Sequence, residues 1–204
     1  MVQLEVDARA RIEMKTLIND YTHALTKLLE QFDWSTVEQL CDVLIRCQQT
    51  SGKLFICGNG GSAGNAMHLA NDFIYGIDPS SKRALNVEAL SANSAVLTCL
   101  GNDTGYDNIF SHQLKVKACE GDVLLVLSGS GNSANIIHAI NQANSMGMTS
   151  VALLGFDGGL AKPLVELAIH FEINDMQISE DLQLIVGHML MRQMAKLNQS
   201  AAND

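Results

Sequence analysis

A chain of 204 residues with 47% hydrophobic content and two prolines is long enough for one domain with a sizeable core and too apolar for a disordered segment. Its net charge of −9, with no basic run, excludes nucleic-acid binding by phosphate neutralisation. No stretch is long and apolar enough to span a membrane, and the acidic start Met1-Val-Gln-Leu-Glu-Val-Asp7 carries no apolar run of the secretory kind.

Two helices are predicted first. From about Ala8 to Phe32, Ile12, Leu17, Ile18, Tyr21, Leu25 and Leu28 recur at helical spacing. Asp33-Trp34-Ser35 supplies a break, with Ser35 as cap and Glu38 completing a capping box. The second helix runs to about Gln49, with Val37, Leu40, Cys41, Leu44 and Ile45 inward. A long helix ahead of the first strand has little of its own to pack on, so it is read as an oligomer element.

A βα rhythm follows. Lys53–Cys57 is the first strand, and a helix runs from Ser62 to about Tyr75. Lys82-Arg83 leads into a strand over Ala84–Leu90. Ser91–Leu100 is a short helix, Gly101–Gly105 a loop, and Tyr106 to about Ala118 a helix. Asp122–Leu127 is an unalternating apolar run, as a parallel strand covered on both faces requires. A helix to about Met146, strands over Thr149–Leu154 and Leu167–Ile173, and a closing helix from Met176 to about Leu197 complete the chain. The expectation is a single doubly wound, flavodoxin-like α/β domain over 1–204, with a parallel five-stranded sheet and helices on both faces. Residues 1–50 form the helical extension, 51–175 the βα core and 176–198 the closing helix. Ligands in such sheets bind beyond the carboxyl ends of the strands.

Two loops at those ends are rich in small polar residues. The first is Gly58-Asn59-Gly60-Gly61-Ser62, where glycines permit close backbone approach and a helix N-terminus offers free N–H groups to an anion. Gly58-x-Gly60-x-x-Ala63 meets the relaxed dinucleotide pattern, with Asp78 at about the right distance, but small residues in such a loop meet it easily by chance. No P-loop lysine is present. The second loop, Ser128-Gly129-Ser130-Gly131-Asn132-Ser133, gathers three hydroxyls at a helix start and can hold phosphate without a cation. His68 and Asp72 share a helix face, as do Asp181 and His188, with Glu180 slightly off that line. Two readings stay open for these groups: an O/N site for zinc or another divalent ion, or a base and an acid flanking a substrate carbon. Asn102-Asp103 is read either as a sugar-hydroxyl contact or as a turn or helix cap. His23, His112, His138 and His170 are read as structural. The five cysteines (Cys41, Cys47, Cys57, Cys99, Cys119) lack metal-type spacing and read as reduced core residues of a cytoplasmic protein.

Cys57-Gly-Asn-Gly-Gly-Ser-Ala63, Gly101-Asn-Asp-x-Gly105, Gly121-Asp-Val-Leu-Leu125, Ser128-x-Ser-Gly-Asn-Ser-Ala-Asn135 and Asp157-Gly-Gly159 occur in that order. This set resembles the sugar isomerase (SIS) domain family, and within it the bacterial phosphoheptose isomerases, over nearly the whole chain. The resemblance implies an aldose–ketose isomerase that converts sedoheptulose 7-phosphate to D-glycero-D-manno-heptose 7-phosphate through an enediol, early in heptose synthesis for lipopolysaccharide or capsule. It implies a homo-oligomer, a tetramer built partly through its helices, and one zinc per subunit held by His68, Asp72, Glu180 and His188. Asp72 matches the base and His188 the acid. Ser128, Gly129, Ser130 and Ser133 match the phosphate-binding positions, and Asn59, Gly60, Gly61, Ser62, Asp72, Asn102, Asp103 and Glu180 other substrate contacts. The chain departs from the pattern with Asp72 for Glu, Glu180 for Gln and Gly129 for Thr, and it lacks an arginine near Tyr75-Gly76. The alternative is a non-catalytic SIS module that binds a phosphosugar or a protein, resembling the replication initiator-associating factor. An amino-sugar SIS protein is a third reading, disfavoured by the single domain.

Overall fold

The computed structural model describes residues 8–80 and 83–203, so the acidic start Met1–Asp7 and Lys82 lie outside the described residues. In chain order the elements are α1 (Ala8–Gln31), α2 (Ser35–Gln49), β1 (Lys53–Gly58), α3 (Gly61–Asn71), β2 (Asn86–Ala89), α4 (Ser94–Asp103), α5 (Ser111–Lys117), β3 (Val123–Ser128), α6 (Ala134–Ser145), β4 (Thr149–Leu154), β5 (Leu167–His170) and α7 (Met176–Asn203). The chain divides into two compact units between Asp33 and Trp34. The first holds α1, on which Ile12, Leu17 and Ile18 of the helically spaced apolar set are exposed.

The second unit holds the sheet, ordered β2-β1-β3-β4-β5 with every neighbouring pair parallel. This is the expected doubly wound α/β arrangement. Strand side chains alternate between faces. Phe55, Cys57, Leu124, Val126, Ala152 and Leu154 join one core with Leu114 of α5 and Ile136, Ala139 and Ile140 of α6. The intervening Leu54, Ile56, Leu125, Leu127, Val151 and Leu153 are also buried and face the side covered by α2, α3 and α7. Burial on both faces explains why Val123–Ser128 shows no alternation. Asp122 ties the strand starts together: its carboxylate accepts from the backbone N–H of Lys53 and of Cys119, each at 2.8 Å.

Local structure departs from the sequence reading in several places. Trp34, not Ser35, is the N-cap of α2, and it makes no side-chain cap; the carbonyl of Trp34 accepts from Val37 and Glu38 instead. The face of α2 that packs inward holds Val43 and Cys47 where Cys41 and Ile45 were expected; those two are half-buried. Helix α4 starts later, where Asn93 caps it by accepting from Val96 N–H, and it runs through Gly101 to Asp103; Asn102 and Asp103 therefore sit in its last turn, not in a loop. The helix expected over Tyr106–Ala118 is broken into a 3₁₀ turn, Tyr106–Asn108, and α5. Strand β5 stops at His170, three residues short of the expected Ile173. Helix α3 continues into a π turn, Asp72–Gly76, a form found frequently at functional sites.

The contact that positions the site is the seam between α3 and α7. Ser62 meets Gln183, Asn65 meets Glu180 and Gln183, Leu69 meets Gly187, and Gly76 meets Met191. Both series ascend, so the two helices run in the same direction along the seam. At Gly187 a Cβ would lie 3.0 Å from Leu69 Cγ and closer still to its methyl groups. Leu69 is 1% exposed and has no room to retreat. Gly187→Val should therefore lower stability by about 1–3 kcal/mol through overpacking, seen as a lower urea midpoint. Gly64→Ala, on α3 where a Cβ meets nothing, should raise it by about 0.5–1 kcal/mol.

Candidate active site

Beside the Leu69–Gly187 contact, the seam brings three donor atoms together. His68 Nε2 lies 3.0 Å from His188 Nε2 and 3.4 Å from Asp72 Oδ2, and His188 Nε2 lies 3.3 Å from the same Oδ2. The imidazole rings meet edge to face, with centroids 5.2 Å apart. Helical spacing explains the His68–Asp72 pair, which stands at i,i+4 on one face. His188 comes from a helix more than a hundred residues away and is placed by Gly187. Both rings are about half exposed, while the Asp72 carboxylate is mostly covered.

The triangle has the dimensions of a metal site. Bonds of about 2.0–2.1 Å in a tetrahedron hold neighbouring ligand atoms roughly 3.3–3.4 Å apart. The observed edges of 3.0, 3.3 and 3.4 Å match one tetrahedral face. Two imidazoles and a carboxylate are also the donor set that zinc takes, and three protein ligands leave the fourth corner open to a reacting molecule. Without a metal the same atoms can share a proton, one ring N–H donating to its neighbour.

Glu180 stands apart from this triangle. Its carboxylate lies over Gly61, the first residue of α3, where a Cβ would collide with both carboxylate oxygens. An anion there is favoured by the partial positive charge at the helix start. The protein's own carboxylate thus stands against the first turn of α3. Asp181, the other acid at this point of α7, is exposed. Ser62 is 3% exposed, and its hydroxyl accepts from Gln183, so it belongs to the helix seam.

The second loop leads from β3 into α6. Ser128 ends β3 and is buried; its Oγ accepts from Gly131 N–H at 3.0 Å, which shapes the turn. Ser130 Oγ accepts from Asn132 N–H. Ser133 is the N-cap residue of α6, but its side chain makes no capping hydrogen bond. Gly131 has φ +66, and a Cβ there would run into the carbonyl of Gly158, so the Asp157-Gly158-Gly159 loop braces this one from behind. The carbonyls of Gly129 and Gly131 accept from Gly155 and Ala161 N–H, each at 2.9 Å.

The first and second loops are joined across the β1–β3 crevice. Asn59 and Asn135 exchange hydrogen bonds at 2.9 and 2.8 Å, and the Tyr106 hydroxyl donates to Asn59 Oδ1 at 3.1 Å. Asn135 and Tyr106 were not singled out from sequence, although Asn135 closes the Ser128–Asn135 motif. Tyr106 brings the end of α4 beside this loop. There Asn102 Nδ2 donates to Asp103 Oδ1 at 2.7 Å and both residues are exposed. His170, read as structural, binds the carbonyl of Phe156 through Nε2 and Lys162 through Nδ1. A cleft of about 830 Å³ lies at the opposite end of the sheet, beside Gln48, Arg83, Asn86 and Asn198.

Comparison with known proteins agrees with this geometry. Residues 20–155 match the family model described as SIS domain. The chain is 34% identical over 170 residues to a phosphoheptose isomerase of Helicobacter pylori (strain P12), covering 83% of this chain and 88% of that one. It is 36% identical over 180 residues to the phosphoheptose isomerase of Sulfurimonas denitrificans, covering 87% and 86%. The structure of a phosphoheptose isomerase from Neisseria gonorrhoeae superposes with a TM-score of 0.82 at 26% identity, covering 90% of this chain and 99% of that one. With the motifs, the sheet order and the relatives in agreement, the chain belongs to the SIS-domain family, within its phosphoheptose isomerase group.

Proposed function

We propose that the protein is an aldose–ketose isomerase that interconverts sedoheptulose 7-phosphate and D-glycero-D-manno-heptose 7-phosphate, early in heptose synthesis for lipopolysaccharide or capsule. The observation that carries this reading is the His68–Asp72–His188 triangle at the mouth of the α3–α7 seam. The reaction moves one proton between C1 and C2 of the substrate and one between their oxygens. Asp72 is the base: it takes the C1 proton of the ketose and returns it to C2. His188 is the acid that handles the oxygen proton, delivering it to O2 as the enediol forms. When bound, one zinc per subunit would be held by His68, Asp72 and His188, with Glu180, which stands apart over Gly61, as the fourth ligand the resemblance implies, and it would supply Lewis-acid stabilisation of the oxygen that gains charge.

The phosphate is placed on Ser128, Ser130, Ser133 and the backbone at Gly129, at the α6 N-terminus, because hydroxyls and a helix dipole bind it without a cation. The α3 N-terminus is already matched by Glu180. Asn59, the backbone of Gly60 and Gly61, and the exposed Asn102 and Asp103 remain for the sugar hydroxyls. The whole chain acts as one SIS domain in a homo-oligomer, read as a tetramer. The exposed Ile12, Met14, Leu17 and Ile18 of α1 support a subunit contact there. A cytoplasmic location is supported by five free cysteines, although Cys99 and Cys119 are exposed and not in the core as expected. No helix among the described residues is long and apolar enough to cross a membrane.

Metal-stripped protein incubated with sedoheptulose 7-phosphate, with and without zinc, should form the aldose only when zinc is restored, as followed by NMR. Turnover without metal would retain the acid and base and discard the zinc. Zinc should raise the melting temperature of the wild type, and Asp72→Ala should weaken zinc binding by at least the roughly 10–100-fold that loss of an outer partner costs, as read by titration calorimetry. His188→Ala should lower kcat by about 10²–10⁴-fold with folding and assembly retained. Unchanged turnover in that variant would overturn the mechanism.

A further inference from the structure

Asn59 is gripped from two sides. Its Nδ2 donates to Asn135 Oδ1 at 2.9 Å, and its Oδ1 accepts from Asn135 Nδ2 at 2.8 Å. Asn135 is 1% exposed, so its amide cannot turn over without losing both bonds and finding no water in exchange. The Tyr106 hydroxyl donates to the same Asn59 Oδ1 at 3.1 Å. A carbonyl oxygen has two lone pairs, and both are now taken. The Asn59 side chain has only one N–H left for a ligand, so it can donate but not accept.

Tyr106 is left in the complementary state. Its hydroxyl proton is committed to Asn59, which leaves the phenolic oxygen's lone pairs as acceptors. The residue is 60% exposed and stands beside the loop that follows β1, so those lone pairs are open to the crevice. A polyhydroxylated chain brings hydroxyl protons that need acceptors, and Asn59 cannot supply one.

We infer that Tyr106 is a substrate-binding and specificity-determining residue whose phenolic oxygen accepts a hydrogen bond from a sugar hydroxyl, with Asn135 as the positioning residue that sets its direction through Asn59. The inference rests on the reading of the site as a phosphosugar isomerase.

Steady-state kinetics with sedoheptulose 7-phosphate, and calorimetric affinities for that sugar phosphate and for inorganic phosphate, test it in the wild type, Tyr106→Phe, Asn135→Leu and the double variant. Tyr106→Phe should raise KM and the sugar-phosphate Kd roughly three- to tenfold, with kcat within about twofold. Its affinity for inorganic phosphate and its melting temperature should stay at wild-type values. Asn135→Leu should raise KM at least as much, and Tyr106→Phe should add little in that background. Wild-type KM and Kd in Tyr106→Phe would overturn the inference, and so would equal weakening of sugar phosphate and inorganic phosphate, which marks a displaced loop. Should Asn135→Leu fail to fold, Tyr106→Phe decides alone. A wild type that binds the sugar phosphate without turning it over removes the isomerase reading while the affinities still judge Tyr106; one that binds nothing removes both.

Discussion

The close approach of α7 to α3 at Gly187 is the constraint on which the site depends. Interiors pack at crystal-like density, so the separation of two helices is set by the side chains between them. With no side chain at 187 and a fixed Leu69 opposite, the next residue on α7, His188, meets the residue just before Leu69 and the residue three after it. The polar part of the seam fixes register in the same direction: Gln183 bridges Ser62 and Asn65, and Asn65 also donates to the carbonyl of Glu180. A slip of α7 by one turn would leave these buried amides unpaired, at a cost of about 1–3 kcal/mol for each group. Apolar contact sets the distance between the helices and amide pairing sets their alignment.

The sheet supplies the other half of the arrangement. Its order makes β1 and β3 neighbours, so the loops that follow them open on either side of one crevice. The Asn59–Asn135 pair spans that crevice, while Gly158 braces the second loop from behind. Each loop is thereby held by something other than its own sequence. A site fixed within fractions of an ångström is what proton transfer at two adjacent carbons requires, because a misplacement of about 1 Å can lose two orders of magnitude in rate.

A protein of net charge −9 that binds a phosphorylated sugar has to do so by local field, not overall attraction. Two helix N-termini face the crevice, and they are used differently. Glu180 covers that of α3. That of α6 begins with Ser133, whose hydroxyl does not cap its own helix.

The sequence by itself determined the alternation of strands and helices, the parallel sheet, both crevice loops and the pairing of His68 with Asp72, because each is written in local spacing: apolar runs, small polar turns and one helical face. It also carried the family motifs. Only the tertiary structure decided the rest. Asn102 and Asp103 lie in the last turn of α4, which continues through Gly101 to Asp103. Ser62 turned inward because Gln183, distant in sequence, needed its hydroxyl. Glu180, not Asp181, faces α3, a choice that the rotation of α7 makes and periodicity within one helix cannot. Tyr106 and Asn135 acquired their roles through Asn59, and no local pattern reports a hydrogen bond between segments brought together only by the fold.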